Sequence, residues 1–120
     1  DNGGASSFGT VFKLTPSGTE TVLYSFAGGS DGANPEAGLT QGSDGYLYGA
    51  TYQGGASGFG IVFKLTVSGT ETVLHTFAGG STDGANDWAN LVQGADGNLY
   101  GTTYAGGNSG DGTFFKVKLQ

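Results

Sequence analysis

The chain has no cysteine and no arginine, and only two prolines, one histidine and one tryptophan in 120 residues. Without cysteine there is no disulfide framework and no thiolate for metal or nucleophilic chemistry, and the redox compartment is left open. Four lysines against ten acids give a net charge of −6. That balance repels phosphate backbones and anionic lipid surfaces, so nucleic acid is not an expected partner. No apolar run approaches the roughly 20 residues a membrane-spanning helix needs, and no membrane insertion is expected. Nor is a helix expected anywhere: glycine interrupts every window longer than ten residues, and no 3.6-residue period emerges.

What is present instead is glycine, 26 of it, together with Phe, Tyr, Val and Leu in short clusters. A chain that turns this often yet keeps so many large apolar side chains is a many-stranded β protein rather than a disordered one. The glycines follow no Gly-X-Y period, which excludes a collagen helix.

A repeat organises the whole sequence. Gly9 to Leu14 (Gly-Thr-Val-Phe-Lys-Leu) returns as Gly60 to Leu65 (Gly-Ile-Val-Phe-Lys-Leu) and as Gly112 to Val117 (Gly-Thr-Phe-Phe-Lys-Val), at spacings of 51 and 52. Three further segments recur in the same order: Glu20 to Phe26 at Glu71 to Phe77, Leu39 to Gln41 at Leu91 to Gln93, and Leu47 to Gly49 at Leu99 to Gly101. Thr82 is the extra residue in the second spacing. Ser17-Gly18, Ser68-Gly69, Asp44-Gly45 and Asp96-Gly97 separate these segments. Each is a hairpin signal, because glycine accepts the positive φ of a tight reversal.

Each repeat therefore reads as four short antiparallel strands: a near Leu39, b near Tyr48, c near Phe63 and d near Leu74. Four strands in about 50 residues are the dimensions of a propeller blade. The expected fold is all-β and β-propeller-like, with about two and a quarter blades: residues 1–38 a partial blade of strands c and d, 39–90 a full blade, and 91–120 a partial blade of strands a, b and c. A β-solenoid-like stack is the alternative, but solenoid coils run parallel and do not need hairpins. The crowding of Val22, Leu23, Tyr24 and Phe26 points to sheets covered on both faces.

Asp44 to Gly55 (Asp-Gly-Tyr-Leu-Tyr-Gly-Ala-Thr-Tyr-Gln-Gly-Gly) and Asp96 to Gly107 (Asp-Gly-Asn-Leu-Tyr-Gly-Thr-Thr-Tyr-Ala-Gly-Gly), each followed by Gly-X-X-Phe-Lys, resemble the tandem repeats of the Gloeobacter and Verrucomicrobia family. The resemblance covers essentially the whole chain. It implies long repeat arrays on exported, often surface-anchored proteins, and supplies no catalytic residue. With the start at Asp1, without a methionine or a basic-then-apolar leader, it leads us to expect a mature product, secreted or on the bacterial cell surface, with a trimmed fragment as the alternative.

Candidate sites are few. Asp31 and Asn34 in one loop, and Asp83, Asn86 and Asp87 in its repeat, place oxygen atoms at short spacings, as calcium loops do. The same residues make Asx turns, and neither loop carries the closing Glu of a calcium-binding hand. Turn chemistry is expected, with no cofactor, and calcium is the alternative. His75 replaces Tyr24 of the first repeat and is expected to pack in a strand. Lys13, Lys64 and Lys116 share one repeat position, where an exposed lysine guards against wrong edge pairing. Tyr48 and Tyr100 are expected to pack between blades, against Gly49 and Gly101. Trp88, whose repeat partner is Glu36, is the one unrepeated loop aromatic and the candidate ligand contact. Acids that almost all sit in glycine-rich turns, with no Gly-X-Ser-X-Gly elbow, do not read as an enzyme.

The incomplete end blades complete the sequence reading. A two-blade stack leaves apolar faces in water, and its partial ends are complementary, although joining a-b-c to c-d leaves one c strand over; a slice of a longer array is the alternative to assembly. The expected function is a self-assembling extracellular structural module whose partners are copies of itself, joined by strand or blade sharing into a ring or filament. The alternative is a glycan-binding module that uses loop aromatics on carbohydrate.

Overall fold

The structure is a computed structural model that describes residues 8–14, 16–35, 39–80, 83–87, 91–107 and 110–119. Among them there is no helix, and ten strands form three separate sheets, none of them closed. Strands β1 (Thr10–Leu14) and β2 (Glu20–Ser25) make a two-stranded first sheet. The second sheet is a four-stranded meander of β3 (Thr40–Gln41), β4 (Leu47–Ala50), β5 (Ile61–Leu65) and β6 (Glu71–Thr76). In the third, β9 (Leu99–Gly106) lies between β10 (Thr113–Val117) on one side and β7 (Gly84–Asp87) and β8 (Val92–Gln93) on the other. All pairings between these strands are antiparallel.

The repeated residues fold alike. Asp44 Oδ1 accepts the Tyr46 N–H at 3.1 Å, as Asp96 Oδ1 accepts that of Asn98 at 3.0 Å. Gly45 and Gly97 close these turns at φ of +88° and +85°, where a Cβ would meet nothing; backbone conformation, not space, calls for glycine. Gly49 and Gly101 are glycine for the opposite reason. A Cβ there would lie 2.8 Å from the Phe63 ring and 2.7 Å from the Phe115 ring, each on the residue directly across the ladder. The expected packing of Tyr48 against Gly49 is thus corrected. Neighbours in a strand point to opposite faces, so Phe63 fills the space over Gly49 while the Tyr48 ring lies over Gly42.

One irregularity recurs in register. The β1–β2 ladder slips between Val11 and Phe12, and β5–β6 slips between the equivalent Val62 and Phe63. Leu23 and Leu74 are the extra residues, and such bulges bend and twist the strand.

Strand β7 is one more than the repeat predicts. Gly84-Ala85-Asn86-Asp87 holds no aromatic or β-branched residue to announce a strand. It forms because the long β9 offers a second stretch of edge, where Gly84 pairs Gly106 and Asp87 pairs Thr103. In the preceding repeat the same contact is a single bridge from Ala33 to Gln53.

The sheets stack through two apolar layers. Val11 and Phe26 of the first unit meet Ile61, Phe63 and Leu65 of the second. Tyr48, Ala50, Val62 and Phe77 of the second meet Leu91 and Leu99 of the third, with Phe115 packed alongside. Edge-to-face ring contacts recur at both junctions: Phe26 on Phe63 at 5.4 Å and Phe77 on Phe115 at 5.3 Å.

Candidate functional site

The acidic loops come first, because they are the sequence's metal candidates. Asp31 Oδ2 accepts the Tyr24 hydroxyl at 2.7 Å and the Ala27 N–H at 3.0 Å. Asp83 accepts the N–H groups of Ala78 at 2.9 Å and Gly84 at 2.8 Å, and both its oxygens lie 3.0–3.2 Å from His75 Nε2. Partial burial works to raise the Asp83 pKa, but the two backbone donors and His75 outweigh it and the carboxyl sits below its usual range. Asn34 adopts a left-handed φ of 55°, its N–H donating to the Phe8 carbonyl at 2.8 Å and its own carbonyl accepting the Tyr52 N–H at 2.9 Å. Backbone placement puts Asn86 and Asp87 on β7. Trp88 lies outside the described residues. Among the described residues no group of three or more His, Cys, Asp or Glu could hold a metal ion.

Sequence reasoning missed the partner of His75. The signal was in the repeat: Tyr24 stands before Asp31 as His75 stands before Asp83, a side-chain donor ahead of a loop carboxylate both times. His75 also packs edge-on against Phe77 at 5.0 Å, so it packs in its strand as expected while also closing the loop. Lys64 departs from the edge-guard reading, since β5 is flanked by β4 and β6; its Nζ lies 4.5 Å from the centre of the Tyr46 ring. Lys116, on the open edge of β10, is placed as that reading requires.

Two Tyr–Asp pairs mark the hairpin tips. Tyr48 and Tyr100 donate to Asp44 and Asp96 at 2.5 Å. Each tyrosine hydroxyl holds its aspartate below the usual carboxylate range, helped by the turn N–H groups and a nearby lysine. Burial and the Asp44 bond push the Tyr48 hydroxyl well above its ordinary value.

A carboxylate with the opposite shift lies where the first and second units meet. Burial pushes Glu71 up to about 7, with the Asp31 charge adding to the shift and Tyr24 opposing it. Tyr24 spends its one proton on Asp31, and Glu71 Oε2 has no hydrogen-bond partner.

The junctions are also stitched by polar links. The Thr40 hydroxyl donates to the Leu91 carbonyl, and the Ser43 N–H donates to Gln93 Oε1 at 2.9 Å. Gly55 N–H reaches Gly29 O at 2.8 Å, and Gly107 N–H reaches Gly80 O at 2.8 Å in the next repeat.

The apolar layers do not end with the sheets. On the outer face of the third sheet Val92, Tyr100, Gly101, Thr102 and Phe114 line an apolar cavity of ≈ 380 Å³. Tyr100 and Phe114 stack there at 6.0 Å. On the outer face of the first sheet Phe12 lies exposed. Stacked sheets and a repeating interface define an all-β repeat protein. It belongs to the Gloeobacter/Verrucomicrobia repeat family, whose model matches residues 1–120. No curated protein matches the chain.

Proposed function

We propose that the chain is a non-catalytic, self-associating structural module, built of propeller-like blades and acting on the bacterial cell surface or in secreted form. The observation that carries this reading is a change of environment at fixed repeat positions. Val62 is 0% exposed between the second and third sheets, whereas its equivalent Phe114 is 75% exposed at the end of the stack. Phe63 is 1% exposed, and its equivalent Phe12 is 52% exposed. Large apolar side chains at positions that pack against the neighbouring sheet in the interior junctions leave the end faces suited to a further unit of the same kind, which a second copy supplies.

The blade reading is supported by the antiparallel a-b-c-d order of the second sheet, which a parallel solenoid coil would not have. Export is the usual setting of the repeats this sequence resembles. Light scattering and negative-stain microscopy of the purified chain test the proposal. Rings or filaments that Phe114→Asp shortens or abolishes are expected. Particles of the single-chain mass of 12.0 kDa at all concentrations would refute it.

A further inference from the structure

We infer that the cleft between the hairpin tips of the second and third sheets is a binding site for a neutral sugar. The cleft has a volume of ≈ 400 Å³, within the roughly 300–1,000 Å³ of small-ligand sites. Both of its walls belong to one chain, so the site does not depend on association between copies. The walls are tied together: the Ser43 N–H donates to Gln93 Oε1 at 2.9 Å, and Gln93 Nε2 donates to the Gly97 carbonyl at 3.0 Å. Asn98 Oδ1 accepts the Leu119 N–H at 3.1 Å, which holds the segment carrying Lys118 against the third-sheet tip.

Departures from the repeat gather in this cleft. Ser43, Asn98 and Lys118 line it, where the matching repeat positions carry Ala95, Tyr46 and Thr66. The exchanges add a hydroxyl, replace a ring by an amide and add an ammonium group, changes that a mere gap between layers does not call for. The polar groups also have capacity to spare. Among the described residues the one ion pair is His75–Asp83, so the Lys64 and Lys118 ammonium groups line the cleft without a carboxylate partner. Asp44 and Asp96 each accept one bond at each oxygen, from a turn N–H and a tyrosine hydroxyl, which leaves a lone pair free on each oxygen. The tyrosine hydroxyls and the turn N–H groups hold both carboxyls below their usual range, so they stay charged acceptors at neutral pH. Two carboxylates and two ammonium groups cancel, and the whole chain carries −6, so no net attraction draws an anion in. Leu74 and Leu119 add an apolar strip. Donors, acceptors and an apolar strip without net charge match a sugar ring, whose hydroxyls both donate and accept and whose C–H face is apolar.

The test is an NMR titration of the nitrogen-15-labelled chain with cellotetraose, maltotetraose and mannotetraose as neutral probes, and with tetragalacturonate and inorganic phosphate as anionic ones. At least one neutral oligosaccharide at millimolar concentration is expected to shift the amide signals of Ser43, Gln93, Gly97 and Asn98 to saturation. Lys118→Thr and Asn98→Tyr restore residues that the second repeat carries at these positions, and circular dichroism checks that each variant folds. Lys118→Thr should weaken binding about tenfold, as loss of a bond to a charged group does. Asn98→Tyr should abolish it by filling the cleft. Unchanged affinity in both variants would put the sugar elsewhere and overturn the site. Saturation by tetragalacturonate or phosphate alone would make the cleft an anion site, and no saturable shift with any of the three neutral oligosaccharides would refute the inference outright.

Discussion

Strands β5 and β10 carry nearly the same sequence, Ile-Val-Phe-Lys-Leu and Thr-Phe-Phe-Lys-Val, and occupy different surroundings. In β5, Ile61, Val62, Phe63 and Leu65 are all buried, because β4 and β6 flank the strand and a sheet lies on each face. In β10 burial alternates: Phe115 and Val117 turn to the second unit, and Phe114 and Lys116 turn outward. The difference teaches that the repeat encodes a two-faced layer, and that what lies on the second face depends on the neighbour rather than on the strand.

Breaking the interior layer has the largest expected effect. Phe63→Ala removes a ring that covers Gly49 and packs on Phe26, and is expected to cost about 3–5 kcal/mol in urea unfolding. The equivalent Phe12→Ala should leave the stability of the dissociated chain within about 0.5 kcal/mol, as exposed substitutions do. Equal losses at the two positions would erase the contrast between interior and end.

The hairpin tips sharpen the comparison at smaller scale. Tyr48→Phe removes the hydroxyl donated to Asp44 and should cost about 1 kcal/mol, with a lesser loss for Tyr100→Phe at the end sheet. Both aspartates titrate below their ordinary range, so the stability they contribute is present above the unfolded carboxylate pKa and is lost as pH falls through the folded value. Acid unfolding should begin at higher pH in the Tyr→Phe variants.

Glu71 gives the smallest effect, and one of opposite sign. Its folded pKa is raised to about 7, so its penalty is absent below the unfolded carboxylate pKa and grows as pH rises to about 7. Glu71→Gln should raise the Tm at pH 8 and leave it unchanged at pH 4. A Tm shift of equal size at both pH values would mean that packing, not charge, is responsible.

Much of this architecture was legible in the sequence. The repeat located the four strands of the second sheet, and Asp-Gly and Ser-Gly located their turns. Three features were hidden, each for a physical reason. Strand β7 has no propensity of its own and exists through the spare edge of β9. The His75–Asp83 contact joins a strand to a loop eight residues on, and emerges only when both repeats are laid side by side. Tyr48 and Gly49 are neighbours in sequence but face opposite sides of β4, which adjacency alone does not reveal. The similar look of Val11-Phe12, Val62-Phe63 and Phe114-Phe115 likewise gave no sign that Phe12 and Phe114 are exposed while Val62 and Phe63 are both buried.

Because the chain has no cysteine, a single thiol reports on one place. Thr102→Cys sets that thiol in the wall of the outer cavity of the third sheet, on a side chain that is exposed in the single chain. Its alkylation rate, followed from nanomolar to high micromolar chain concentration, tests most directly whether this face is covered by another copy. Protection that deepens with concentration is the expected result; a rate that stays at the value of a free thiol throughout would contradict it.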